Sequence, residues 1–474
     1  MIAQGDPRHI AWEVLHAVDD RAAYANLMLP SLLRERRLEA RDAGFATELT
    51  YTTLRWRGFI DAVIEACAQR QTTLIDTNSL NALRLGVAQI LLLRVPAHAA
   101  VSTTVDLAAA VASPNSRGFV NAVLRRASEL DLLGWQSRIV EKTTDELTSL
   151  SLRYSHPRWI VVALRDALQQ CGRSIAELPV VLQANNDAVR PTLVARPPHL
   201  LADTLAQDVS GSLGRWVDTA VEGVRGDIGA ISAIRKGFAG VQDEGSQLIA
   251  HVLAGISISG DDSQWLDMCA GPGGKAALLA GLAEARMAHL TALDLQEHRV
   301  NLLRDALRHF PRADVHTCDA TDLTQLPDYR DGMFDRVLVD APCSGIGALR
   351  RRPDLRWQRD ASAVSGLASL QEALLLAAVK AVRVGGVVGY ATCSPHVSET
   401  AVVVKQVRRL ARQQGIETEI VNVSDQLSQV PHVRNGSELA TLNGGKPFLQ
   451  LWPDVHGTDA MFLAILRRVE TAHD

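Results

Sequence analysis

The sequence predicts two kinds of fold in one chain: an all-helical front half and, behind it, an α/β domain built on a parallel sheet. Three observations lead there. Apolar residues recur at helical spacing from residue 8 to about 130. From Val241 onward, short strand-like runs alternate with helical text. A glycine turn, Cys269-Ala270-Gly271-Pro272-Gly273-Gly274-Lys275, joins one of those strands to a helix. A chain of 474 residues has room for about two to four domains, and its 47% hydrophobic content can fill their cores.

The front half is read from its periodicity. Ile10 to Leu15, Phe45 to Leu54, Leu83 to Leu93, Asp106 to Ala112 and Phe119 to Leu124 each carry an apolar helical stripe. Ser113-Pro114-Asn115-Ser116 is turn chemistry between two of them. Residues 1–140 hold 15 Lys/Arg against 14 Asp/Glu, so this all-helical domain is nearly neutral. The polar stretch Ser137 to Thr148 reads as a linker. Pro157-Arg158-Trp159 opens a further helix, with proline where a missing N–H does no harm. Residues 150–240 then turn mixed. Pro191 to Arg196 is strand-like, Gly211 to Gly214 reads as loop, and a helical linker plus a small α/β subdomain is expected.

In residues 241–474 the expected strands are Trp265 to Met268, His289 to Leu295, Val315 to Cys318, Phe334 to Ala341 and Val387 to Cys393, with a helix from Lys275. Open α/β sheets bind ligands outside the carboxyl ends of their strands. Asp267, Asp294, Asp319, Asp340 and Cys393 all fall at or just beyond such ends.

The turn fits a loose dinucleotide-type fingerprint, and Asp294 follows at the distance expected of a ribose-binding carboxylate. Alone, the turn suits a nicotinamide cofactor as well as an adenosyl one, or a bare strand–helix junction. A Walker loop is excluded, because Cys269 and Ala276 stand where glycine and Ser/Thr are required. No HExxH or GxSxG motif is present.

The six cysteines show no CxxC pair and no zinc spacing, so neither a metal site nor a disulfide framework is expected. Cys67 and Cys171 lie in apolar helical text as core residues, and Cys269 and Cys318 read as wall residues. Cys343 and Cys393 differ. One sits in Asp340-Ala341-Pro342-Cys343-Ser344-Gly345, the other in Tyr390-Ala391-Thr392-Cys393-Ser394-Pro395. A thiolate attacks electron-poor carbon well, and two thiols beside a nucleotide-type pocket point to covalent chemistry on a base. The net charge of −4 argues against a protein that coats nucleic acid nonspecifically. No apolar run reads as a membrane span, and Met1 to Arg8 has no signal pattern, so a cytoplasmic protein is expected.

These motifs in this order resemble the Nop/Sun family of S-adenosylmethionine-dependent RNA cytosine-5 methyltransferases. The resemblance covers residues 241–474. It rests on Val241 to Gln247, the glycine turn, the two cysteine motifs, Arg352-Pro353-Asp354, and Gly457 to Phe462, where many members carry Gly-Phe after the aspartate. Arg41 to Trp56 and Phe119 to Arg126 resemble a NusB-type RNA-binding domain. The fusion is similar to the bacterial Sun (RsmB-type) arrangement that acts on 16S ribosomal RNA.

The resemblance implies a Rossmann-like methyltransferase domain preceded by the NusB-like domain and the small subdomain. It implies Cys393 as the nucleophile toward carbon 6 of cytosine, Cys343 in product release, and Asp340 as a partner of the flipped base. The cofactor S-adenosylmethionine is expected on Cys269, Ala270, Gly271, Pro272, Gly273, Gly274, Lys275, Asp294, Asp319 and Asp340, with Asp294 at the ribose and Asp319 beside the adenine. The partner is expected to be 16S ribosomal RNA or an assembling small ribosomal subunit, with no membrane, and the protein to be a monomer. The alternative substrate is transfer RNA or another RNA.

Arg350, Arg351, Arg352, Arg356, Trp357 and Arg359 form the densest basic stretch and are candidates for RNA contact. Arg55, Arg57, Arg125 and Arg126 are weaker candidates. A solvated face is the competing reading for all of them.

Overall fold

The structure, a computed structural model, describes residues 5–141 and 143–471. It divides into two compact units. The first comprises residues 1–168, 173–188 and 349–360, and the second residues 169–172, 189–348 and 361–474.

The first unit is helical throughout. Its helices follow the expected stripes, and their inward faces meet in one core that includes Ile10, Val14, Leu49, Phe59, Leu83 and Leu124. The helix Thr77–Leu91 is buried nearly all round. The expected linker Ser137 to Thr148 is narrower than its bounds, with residues 141 and 143–145 outside helices. Helices Leu132–Val140 and Glu146–Arg153 run into it from both sides. Asp131 and Asp145 cap them by accepting from the backbone N–H groups of Gly134 and Thr148. Of these two caps, Asp145 lies within the polar stretch.

The second unit holds two sheets. Strands β1 (Leu193–Ala195), β2 (Ser212–Leu213), β3 (Ala220–Glu222) and β4 (Ala239–Val241) form a small antiparallel sheet in the order β2-β3-β1-β4. The expected loop Gly211 to Gly214 therefore contains a two-residue strand.

The large sheet is built from β5 (Gln264–Asp267), β6 (His289–Asp294), β7 (Ala313–Thr317), β8 (Phe334–Asp340), β9 (Val382–Thr392), β10 (Glu417–Val421), β11 (Leu449–Gln450) and β12 (Phe462–Val469). Its order is β10-β12-β9-β8-β5-β6-β7, and β11 pairs with β12. Strands β5 to β9 pair in parallel, whereas β12 runs antiparallel to β9, β10 and β11. The parallel strands β8 and β9 are buried along most of their length and read as near-continuous apolar runs. The topological switch point lies between β5 and β8, where ligands of such sheets bind.

The helix Ser362–Ala381 corrects a sequence expectation. Its 20 residues are long and apolar enough, by length and composition, to cross a membrane. Here it packs on β8, β9 and the helix Ala401–Gln413. It buries Val364, Leu374, Leu375 and Val379, and Gln371 within it is a fully buried hydrogen-bonding residue.

Candidate active site

The glycine turn leaves β5 and opens the helix Gly274–Glu284. Glycine is required at two of its positions. A Cβ on Gly271 would lie 2.5 Å from the Asp294 carboxylate and 2.9 Å from Cβ of Arg299. Gly273 has φ +110, and a Cβ there would meet Ala306 at 2.5 Å. Asp294, at the end of β6, clamps the turn: its Oδ2 accepts from the Gly271 N–H at 3.1 Å, and its Oδ1 from Gln296 N–H at 3.0 Å. Arg299 pairs with the same carboxylate at 3.3 Å and donates to the Gly271 carbonyl. With Oδ2 engaged by Gly271 and Arg299, Oδ1 keeps a second lone pair for a ligand hydroxyl.

Asp267, at the end of β5, is fully buried, and its Oδ2 has no hydrogen-bond partner among the described residues. Burial, aided by the neighbouring Asp340, pushes its carboxyl up to about 8. An orphaned buried oxygen beside a glycine cradle fits a ligand bearing hydroxyl or cationic donors, as a nucleoside cofactor does. Asp319 follows β7 and is half-buried. It accepts from the Thr321 N–H and hydroxyl at 2.9 and 2.7 Å.

Asp340 ends β8, and its Oδ2 lies 2.8 Å from Lys275 Nζ in the first turn of the glycine-led helix. Burial opposes the charge on Lys275, but the Asp340 carboxylate outweighs it and the ammonium is held above its usual range. Three residues past Asp340, Cys343 Sγ lies 3.3 Å from Cys393 Sγ, which follows β9. Both thiols are half-buried and neither is in a disulfide.

The two thiols are not equivalent. The Cys343 hydrogen bond lowers Cys393, against burial and the Asp340 charge, and Lys275 adds to the lowering. The same hydrogen bond, with burial and the charge of Glu399, drives Cys343 well above the usual thiol range. Both directions favour Cys343 as the donor and Cys393 as the acceptor of the sulfur–sulfur hydrogen bond. This is the arrangement an activated sulfur nucleophile needs.

Sequence reasoning missed what holds the two sulfurs together. Glu399 is fully buried. Its Oε1 accepts from the Ser344 N–H at 2.7 Å and from Gln371 Nε2 at 3.2 Å. Its Oε2 accepts from the hydroxyls of Ser344 at 2.5 Å and Ser394 at 2.6 Å. Ser344 and Ser394 each follow one of the two cysteines, so one carboxylate ties both thiol loops. Gln371 also donates to the Pro342 carbonyl at 2.8 Å, and Gly347 N–H donates to the Cys393 carbonyl at 2.9 Å. The only sequence signal was the serine after each cysteine; Glu399 stands in ordinary text.

Of the basic stretch expected to touch RNA, Arg351 and Arg359 are half-buried, and the residues turned inward do something else. Arg356 is fully buried within the helical unit. Its guanidinium donates to the carbonyls of Arg55 (2.7 Å), Ser155 (3.0 Å) and Asn185 (2.8 Å), and to Asn186 Oδ1 (2.8 Å). Arg55 ends one helix, and Ser155 and Asn185 lie just beyond two others. A cation there satisfies carbonyls that the helices leave unpaired. Trp357 donates to the Leu54 carbonyl at 3.2 Å and packs so tightly on Gly58 that a Cβ there would come within 2.5 Å. Arg350 is buried, and Arg352 lies 4.7 Å over the ring of Tyr24. Among the weaker candidates, Arg55 is buried and Arg57 is paired with Asp19 at 2.6 Å, while Arg125 and Arg126 remain exposed.

Comparison with known proteins adds the following. Residues 257–467 match the family model of the 16S rRNA methyltransferase RsmB/F, and residues 6–129 match that of the NusB family. A Mycobacterium tuberculosis protein whose name says methyltransferase and no more is 46% identical over 98% of this chain and 97% of its own length. The ribosomal RNA small subunit methyltransferase B of Pseudomonas putida is 32% identical over 93% of this chain and 96% of its own. Among solved structures, PH0851 superposes with a TM-score of 0.76 at 20% identity, covering 98% of this chain and 99% of that one. NSun6 from Pyrococcus horikoshii, solved with SFG, gives 0.51 at 17% identity, covering 65% of this chain and 98% of that one. At these identities the two structures speak for the fold.

Proposed function

The chain belongs to the RsmB/F family of S-adenosylmethionine-dependent 16S rRNA methyltransferases, and from that premise we propose that it methylates carbon 5 of a cytosine in 16S ribosomal RNA through a covalent Cys393–cytosine intermediate. The observation that carries this reading is the pairing of the Cys343 and Cys393 sulfurs at 3.3 Å, just beyond the ends of β8 and β9. Cytosine carbon 5 is too weakly nucleophilic to take a methyl group unaided. In the proposed route the Cys393 thiolate adds to carbon 6, and the electron pair moves to carbon 5. Asp340, held by Lys275, hydrogen-bonds the flipped base and supports protonation of its ring nitrogen. The residues Cys269 to Lys275, Asp294, Asp319 and Asp340 hold the cofactor, which when bound supplies an electrophilic methyl group. After carbon 5 has been methylated, its proton passes to a base and the carbon–sulfur bond breaks. The Cys343 S–H, beside the departing sulfur, stabilises the thiolate as it leaves.

A base inside a helix is out of reach of these thiols, so the target cytosine is looped out or flipped. In the proposed division of labour, residues 1–140 dock RNA, residues 150–240 connect, and residues 241–474 carry the chemistry, in a cytoplasmic monomer acting on 16S RNA or an assembling small subunit.

The test is a trapping experiment. Cys343→Ala is mixed with total cellular RNA and S-adenosylmethionine and run on a denaturing gel. A covalent adduct is expected that disappears when Cys393→Ala is added, with 16S sequence in the trapped RNA. An adduct on transfer RNA would keep the chemistry and overturn the substrate. An adduct in Cys393→Ala but not in Cys343→Ala would reverse the two roles.

A further inference from the structure

Arg356 is buried and its guanidinium is spent on carbonyl oxygens, so it is not free to grip RNA. A groove of 360 Å³ runs between the helix Ala401–Gln413 and the strands β10 and β12. Lys405, Arg408, Arg409 and Arg412 rim it, Phe448 and Phe462 contribute to its floor, and no carboxylate lines it. The helix buries Val403, Val404, Val407 and Ala411, which leaves the four cations in one stripe at i, i+3, i+4 and i+7, about 10 Å long.

Two of the four are already engaged. Arg408 donates to the Thr418 carbonyl at 2.9 Å, and Arg412 pairs with Glu417 at 2.8 Å. Lys405 and Arg409 are exposed and have no ion-pair partner among the described residues. The groove includes Ala401, two residues after the Glu399 that ties the two thiol loops. Phe462 pairs in register with Thr392, the residue before Cys393, although its ring packs in the core with Val404 and Phe448 while Cys393 packs against the other core of the domain. Phe448 lies 5.3 Å from Phe462, ring to ring.

We infer that this groove carries the single-stranded RNA flanking the target cytosine, with phosphates along the Lys405–Arg412 stripe and a base against Phe448. The inference rests on the RNA reading of the preceding subsection. Exposed cations at Lys405 and Arg409 suit a polyanion, and an aromatic floor suits bases, which stack with little regard to sequence. A flipped cytosine at Cys393 leaves its neighbours unpaired.

The test uses the full chain with Lys405→Gln and Arg409→Gln combined; both side chains are exposed, and a thermal melt checks the fold. Affinity for a 16S fragment is measured across a salt series, alongside methylation kinetics. The slope of log affinity against log salt is expected to fall by about 1.4, near 0.7 for each lost phosphate contact. KM should rise with kcat retained, and charge reversal to Glu should weaken binding further. Wild-type slope and KM in the double variant, on an RNA that the wild type methylates, would overturn the groove. So would a loss confined to kcat. If the wild type methylates a transfer RNA instead, the ribosomal reading falls, and the same salt series on that RNA decides the groove.

Discussion

Cys343 and Cys393 differ only in their surroundings. Glu399 stands behind Cys343 and disfavours a thiolate there, while Lys275 favours one at Cys393. A hydrogen bond donated by Cys343 would favour the charged form of Cys393 and lower its midpoint. Removing the donor must raise that midpoint. The alkylation rate of Cys393, followed against pH, should therefore rise at higher pH in Cys343→Ala than in the wild type. An unmoved midpoint would mean that the sulfurs do not share a proton in solution. This motif pair was legible in the sequence, because both cysteines and the serines after them lie within a few residues of a strand end. The direction of proton sharing was not, since it depends on Glu399, Lys275 and Asp340, which reach the pair from separate elements.

At the level of elements, Glu399 is a positioning residue that locks the two strand-end loops. Glu399→Gln keeps one carbonyl oxygen for Ser344 N–H but loses an acceptor shared by two hydroxyls. A shift of the loops by about 1 Å would cost on the order of a hundredfold in kcat. KM for RNA should stay, and the Cys393 alkylation midpoint should move toward that of Cys343→Ala. A fall in stability with no such movement would reduce Glu399 to a packing role.

A second buried carboxylate ties the small sheet's connections to the helix Glu244–Gly255. Glu244 accepts from the backbone N–H groups of Trp216 and Val217 at 2.6 and 3.0 Å. Those bonds favour the carboxylate, yet burial wins and raises it to about 7. A raised carboxyl contributes stability that is complete below its unfolded value, near 4.3, and is lost as pH rises through 7. Glu244→Gln should remove that loss, measured as the difference in unfolding free energy between wild type and variant across pH 4 to 8. Parallel curves would show that Glu244 does not titrate in this range.

On the scale of the whole molecule, residues 349–360 leave the second unit and complete the first. Arg356 is their anchor, with three carbonyls at helix ends and one side-chain amide as acceptors. Arg356→Met should cost about 3 kcal/mol or more, because buried acceptors lose a charged donor. The melting of the helical unit, followed by circular dichroism, should shift down accordingly. A melt unchanged within error would mean that the segment docks without Arg356.

The sequence by itself determined the local grammar: the apolar stripes of the helical unit, the strand–turn–helix at Gly271, the aspartates at strand ends, and the two cysteine motifs. Each of these is written within a few residues, where periodicity and turn chemistry act. Strand β10 escaped notice because it is a short edge strand with half-polar text, and β12 because its pairing with β9 is antiparallel and long-range. Only the tertiary structure decided that Arg356 is interior, that Glu399 joins the two thiol loops, and that Lys405 and Arg409 are exposed on the helix Ala401–Gln413. Burial and hydrogen-bond partnership are set by residues far apart in the chain. The composition of a basic stretch therefore does not say whether it faces water or the carbonyl ends of other helices.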